Sequence, residues 1–231
     1  MNTDVVTTIA GLGTDKHQHD RRYLRADSLC RVTLMTASSI SSNTLRRAVF
    51  PNVSLLTNAL LVLGGALFVA LSAQISIPLP FTPVPITGQT FAVLLVAGSL
   101  GSVCGTLSMG LYLLMGIVGL PVYADHTHGI EVIKGATGGY IIGFIIAGLI
   151  VGLMADRGWD KKFSSSVTMM LTGNVVVFLV GLVWLQQVLH TNLADTLKYG
   201  LYPFVPGEVL KLYLAGALFP GAWALVRRIR K

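Results

Sequence analysis

Charge is scarce in this 231-residue chain: Asp, Glu, Lys and Arg make up only 12% of it, about half the share usual in a soluble domain. Acids are scarcest, ten in all, and four of them (Asp4, Asp15, Asp20 and Asp27) fall in the first 50 residues. With 53% of residues hydrophobic, this composition excludes an ordinary water-soluble fold. Cysteine is nearly missing too. Cys30 lies in the polar N-terminal stretch and Cys104 inside an apolar run, so neither a disulfide framework nor a metal site is expected. The chain has no glycine-rich phosphate loop ending in Gly-Lys-Ser/Thr, no Ser–His–Asp arrangement and no His-Glu-x-x-His spacing. No catalytic residue is therefore expected, and any ATP used would be hydrolysed by another chain. Neither a repeat of 20–50 residues nor an inverted duplication is present, which counts against a stand-alone carrier. The net charge of +7 is spread over the tail and over clusters flanking apolar runs. There the natural partner is membrane lipid rather than nucleic acid.

What the chain does have is apolar runs of membrane-spanning length. About 20 residues at ~1.5 Å each cross ~30 Å of hydrocarbon, and Leu55–Ile77 meets this with no charge. It stops at Pro78-Leu79-Pro80-Phe81-Thr82-Pro83-Val84-Pro85, where proline removes N–H donors and forbids a continuous helix. Residues 88–119 are uncharged, too long for one span and short for two, so a break at Gly98–Gly101 predicts a short second helix and a third. Further spans are expected over about 138–155, 167–189 and 207–226. The predicted fold is an all-α membrane protein, a six-transmembrane-helix bundle over residues 51–231. Small residues at helical spacing in Gly101-xxx-Gly105, Gly139-xxx-Gly143 and Gly148-xxx-Gly152 suit close helix packing within it.

Nine basic residues flank one set of span ends: Arg46, Arg47, Arg157, Lys161, Lys162, Arg227, Arg228, Arg230 and Lys231. The other set carries only Lys134 and Lys198. Both termini are therefore expected on the cytoplasmic side. Residues 1–50 read as a polar, disordered or misannotated extension. From Ser28 to Asn52 the composition is like that of an organelle transit peptide, but the four upstream acids spoil that pattern and Met35 could itself start translation. Localisation is expected at the cell inner membrane, or at an organelle membrane if the tail is a transit peptide. Asn52-Val53-Ser54 fits a glycosylation triplet by chance on the cytoplasmic side.

Two charges fall within a predicted membrane helix, Glu208 and Lys211, and each would cost about 2.5–3.5 kcal/mol at the bilayer centre. Spaced i, i+3, they share a helix face close to the Pro206-Gly207 start. They read either as a structural ion pair or as the polar floor of an outward pocket. Asn174, mid-span, either bonds across helices or lines the same cavity. His126 and His128 are i, i+2 in a loop and read as solvated rather than as metal ligands. Tyr140 and Trp184, near span ends, read as interfacial anchors.

Several separated motifs resemble the BioY family, the biotin-specific S components of energy-coupling factor (ECF) transporters. They are Ala73-Gln74-Ile75-Ser76-Ile77-Pro78, Pro83-Val84-Pro85-Ile86-Thr87-Gly88-Gln89-Thr90, Tyr112-Leu113-Leu114-Met115-Gly116 with Gly119-Leu120-Pro121-Val122-Tyr123, Thr137-Gly138-Gly139-Tyr140, Gly173-Asn174 with Trp184-Leu185, and Pro203-Phe204-Val205-Pro206-Gly207-Glu208-Val209-Leu210-Lys211. The resemblance runs from about Leu60 to the end. It implies a six-helix importer subunit, not an enzyme, that binds biotin as cargo and needs no cofactor. Partners implied are a membrane-embedded coupling subunit and two ATPase subunits. The resemblance implies that Glu208 and Lys211 bind biotin, Asn174, Tyr140 and Gln89 complete the candidate substrate-binding set, and Ala66 and Ala70 are implied to face the coupling subunit. Two departures stand out: the family usually has Asp where Glu208 lies, and Gly-Pro where this chain has Gly135-Ala136. An S component for another vitamin and, remotely, a membrane enzyme using Glu208 as base are the alternatives.

Overall fold

A computed structural model describes residues 44–50 and 54–229. The chain divides into two units, Met1–Ser42 and Asn43–Lys231, and every described residue belongs to the second. The N-terminal extension thus lies almost wholly outside the described residues. Its last part holds a short helix, α1 (Leu45–Val49), packed on the membrane helices.

Five helices are long and apolar enough to cross a membrane: α2 (Leu55–Ala73), α3 (Gln89–Ile117), α5 (Gly138–Asp156), α6 (Phe163–Leu189) and α8 (Val205–Ile229). Two short helices, α4 (Ile130–Lys134) and α7 (Leu193–Gly200), lie in the connections. α3 is not one rod. Gly101 within it has φ 80 and ψ −178, a conformation open to glycine and strained for any residue with a Cβ. In a straight helix residues 97 and 105 would be about 12 Å apart, yet a Cβ placed on Gly105 would lie 2.9 Å from the Ala97 Cα. The chain therefore doubles back at Gly101 into two arms, 89–100 and 102–117. The break predicted at Gly98–Gly101 is found at its last residue, and counting the arms separately gives six helical segments.

The new N-terminus of the second arm is capped from another helix. Asp156 Oδ2, at the end of α5, accepts hydrogen bonds from Ser102 N (3.1 Å) and Ser102 Oγ (2.6 Å). Free N–H groups at a helix start take a carboxylate well. Gly152, on the same face of α5, packs on the Ser102 backbone, so Gly148-xxx-Gly152 and Gly101-xxx-Gly105 meet each other as close packing requires. Ser54 starts α2 by accepting from Thr57 N (3.1 Å), and Asn192 starts α7 by accepting from Asp195 N (2.9 Å).

α5 is the most enclosed span and α2 the least. Large apolar side chains such as Leu60, Leu71, Leu179 and Leu214 point outward, where hydrocarbon rather than water is their solvent. The interior is filled by Ala66, Val69, Val93, Val96, Met109, Tyr112 and Phe144 in one cluster and by Leu94, Val151, Met169, Met170 and Phe219 in a second. Ala66 is fully buried and Ala70 is 7% exposed, both packed against α3. Their small size lets α2 lie close on the α3 hairpin of the same chain, which leaves little of either side chain open at the surface.

At one end of the bundle the strands β1 (Ser76–Ile77) and β2 (Ile86–Thr87) pair antiparallel, with Ser76 opposite Thr87 and Ile77 opposite Ile86. They close off Pro78–Pro85 as a loop. Thr82 Oγ1 donates to the Tyr199 carbonyl on α7 (2.7 Å) and accepts from Val84 N (3.2 Å), tying the loop to α7. The opposite end carries the basic residues Arg46, Arg157, Lys161, Lys162, Arg227 and Arg228.

Candidate functional site

Beneath the proline loop lies a cavity of about 260 Å³. Its roof is Pro83–Pro85, and its apolar walls come from Tyr123, Tyr140, Ile141, Phe144, Phe178 and Phe204. One wall is polar, built from Thr87, Gln89 and Thr90 where β2 runs into α3, and from Glu208 in the first turn of α8. A largely apolar hollow with a few convergent polar groups is the usual form of a small-molecule site.

The polar wall is a connected network. Lys211 Nζ donates to the Thr87 carbonyl (2.7 Å), to Thr90 Oγ1 (3.0 Å) and to Glu208 Oε1 (2.7 Å). An ammonium has three hydrogens, so all of them are used inside the chain, and Lys211 is not among the residues that face the cavity. Thr90 Oγ1 accepts from Lys211 and donates to Glu208 Oε1 (2.7 Å). Glu208 Oε1 is thereby doubly satisfied, whereas Glu208 Oε2 is buried with no partner at all. A buried, unpaired carboxylate oxygen is costly to leave. Glu208 is itself one of the residues that line the cavity.

Gln89 is held at both ends: its Oε1 accepts from Thr87 Oγ1 (2.9 Å) and its Nε2 donates to the Tyr112 hydroxyl (2.6 Å). Tyr140 lines the cavity with its ring, and its hydroxyl donates to the Gly200 carbonyl (2.8 Å). It is thus a wall rather than an interfacial anchor. Trp184 donates through Nε1 to the Gly135 carbonyl (3.0 Å) and packs on Gly139. Tyr123 closes the side wall, its hydroxyl donating to the Leu113 carbonyl (2.7 Å). Burial pushes that phenol up to about 12, so it stays a neutral donor.

The structure brings Glu208, Gln89 and Tyr140 to the cavity and keeps Lys211 directly behind Glu208. Asn174 is buried on α6 but is not part of the cavity lining, and its Oδ1 has no hydrogen-bond partner. Thr87, Thr90, Phe144, Phe178 and Phe204 were not singled out as site residues from the sequence. Thr90 and Glu208 are 118 positions apart, and nothing in the local pattern pairs them. Among the described residues no three His, Cys, Asp or Glu side chains gather as a metal site would require.

Comparisons with known proteins give the family. The BioY family pattern matches residues 38–228. A biotin transporter BioY of Thermotoga maritima is 35% identical over 150 residues, which is 65% of this chain and 86% of the relative. A probable biotin transporter BioY of Pyrococcus horikoshii is 42% identical over 149 residues, 63% of this chain and 85% of that one. A crystal structure of the S-component for biotin from an ECF-type ABC transporter superposes with a TM-score of 0.62 at 27% identity, covering 76% of this chain and 91% of that one. With the family pattern spanning most of its length and the fold shared with a biotin S-component, this multi-pass membrane protein belongs to the BioY family.

Proposed function

We propose that this chain captures biotin in the cavity beneath the proline loop and serves as the substrate-binding subunit of an ECF-type vitamin importer. The observation that carries the reading is the unpaired Glu208 Oε2 at the polar wall of an otherwise aromatic hollow. Biotin's ureido group supplies N–H donors for that oxygen, and its fused rings and alkyl tail suit walls of Tyr140, Phe144 and Phe178. Lys211 and Thr90 hold the carboxylate in place, and Gln89 and Tyr140 shape the space.

The named relatives are biotin transporters and the structural neighbour is a biotin S-component, which supports the same cargo here. As a subunit of such a machine it would work with a membrane-embedded coupling subunit and two ATPase subunits. The basic end, with Arg157, Lys161, Lys162, Arg227 and Arg228, is placed in the cytoplasm by the positive-inside rule. The cavity then opens outward from the cell inner membrane.

Equilibrium binding by the purified protein, run against a panel of vitamins, tests the reading. Biotin alone should bind tightly; preference for another vitamin would replace the assigned cargo while keeping the subunit class.

A further inference from the structure

The loop between α3 and α4 carries two consecutive non-glycine residues at positive φ, Asp125 (55) and His126 (58). L side chains rarely adopt that backbone, and such residues persist only when their surroundings hold them. Gln74, the residue that ends α2, does the holding. Its Nε2 is within hydrogen-bond distance of the carbonyls of Ala70 (3.0 Å), Tyr123 (3.1 Å) and Val122 (3.4 Å), and its Oε1 accepts from His126 N (3.1 Å). The strained turn is therefore fixed against the cavity, and Asp125 contributes to the cavity lining from an exposed position.

The lining contains two carboxylates, Asp125 and Glu208, and no Lys, Arg or His. Lys211 compensates Glu208 from behind. Asp125 makes no side-chain hydrogen bond or ion pair among the described residues, so its charge is uncompensated. Biotin is itself an anion at neutral pH through the carboxylate of its tail. The unpaired Glu208 oxygen matches the ureido donors and not that tail, which favours seating the ring end at Glu208. The rest of the polar lining is Thr137 and the loop bearing Asp125 and Thr127, and an extended tail along the aromatic wall would end there.

Resting on the biotin reading above, we propose that Asp125 is a specificity-determining residue that disfavours an anionic ligand tail and favours a neutral one. A carboxylate at the cavity mouth repels a like charge by an amount that salt screens. Among the described residues no hydrogen bond or ion pair holds the Asp125 side chain, so its charge is available to act on a ligand.

Biotin and its primary amide, which differ in tail charge alone, provide the test. At low ionic strength Asp125→Asn should raise the affinity of biotin relative to biotin amide by about threefold to fivefold, and half-molar salt should shrink that change to near unity. Asp125→Gly, which removes both the charge and the strain, should shift the ratio in the same direction. An unchanged ratio in both variants, with biotin still bound by the parent protein, would overturn the role of Asp125 and leave the biotin reading standing. Failure of the parent protein to bind either ligand would overturn the biotin reading itself, and this proposal with it.

Discussion

A carboxylate buried in an apolar helix needs partners for both oxygens, and Glu208 has them for only one. The proposed ligand would supply the missing partner. Glu208→Gln should weaken biotin binding by about 1.5–3 kcal/mol, roughly 10- to 150-fold, the scale of a hydrogen bond to a charged group. A change of under threefold in an equilibrium titration would remove Glu208 from the site. The two charges were legible in the sequence because a charge inside an apolar span is conspicuous. Their surroundings were not. Thr90 meets Glu208, and Gln89 meets Tyr112, only because α3 folds back on itself beside α8, and no helical periodicity encodes that juxtaposition. Nor could spacing reveal that all three Lys211 hydrogens are taken within the chain.

At the level of elements, the α3 hairpin was readable from its length and its glycines, since 32 uncharged residues need a break and Gly101 can supply one. Partner choice was not readable for the small residues of α2. Alanines at i, i+4 announce that something comes close, and the structure shows it to be α3 of the same chain. Ala70→Trp should therefore overpack the interior and lower stability by about 1–3 kcal/mol or more, with thermal unfolding of the isolated subunit as the measurement. An unchanged midpoint would return Ala70 to an exterior role. The turn joining α5 to α6 supplies another test. Asp160 is fully buried, accepts from Trp223 Nε1 (2.6 Å) and leaves Oδ1 unpartnered. Burial, only partly opposed by the Trp223 hydrogen bond, raises its carboxyl from 3.8 to about 6. Between those values the native state keeps a proton that the unfolded chain has released, so stability falls as pH rises through that window. Asp160→Asn keeps an acceptor for Trp223 and cannot ionise. It should gain about 3 kcal/mol over the parent above pH 6 and almost nothing below pH 4. An equal difference at both pH values would contradict this account of Asp160.

For the whole molecule, composition alone announced a membrane bundle, and the distribution of Lys and Arg set its expected orientation. A reporter fused after Lys231 should be active only on the cytoplasmic side, and activity outside would reverse the assignment of the cavity to the outer face. The extension before the family match holds no apolar span. Deleting residues 2–34 should leave biotin uptake largely intact in a bacterial host, and lost uptake at normal membrane abundance would give the tail a function. The central claim is that Glu208 and Lys211 serve a ligand rather than only each other, and the double variant Glu208→Gln/Lys211→Met tests it most directly. A purely structural ion pair should lose stability when either partner is removed alone and recover it when both are, with biotin binding kept. A ligand site should lose binding in the double variant whatever its stability does. Measured by biotin titration with thermal unfolding on the same preparation, the account predicts a folded double variant with affinity reduced at least tenfold. Parental affinity together with recovered stability would contradict it.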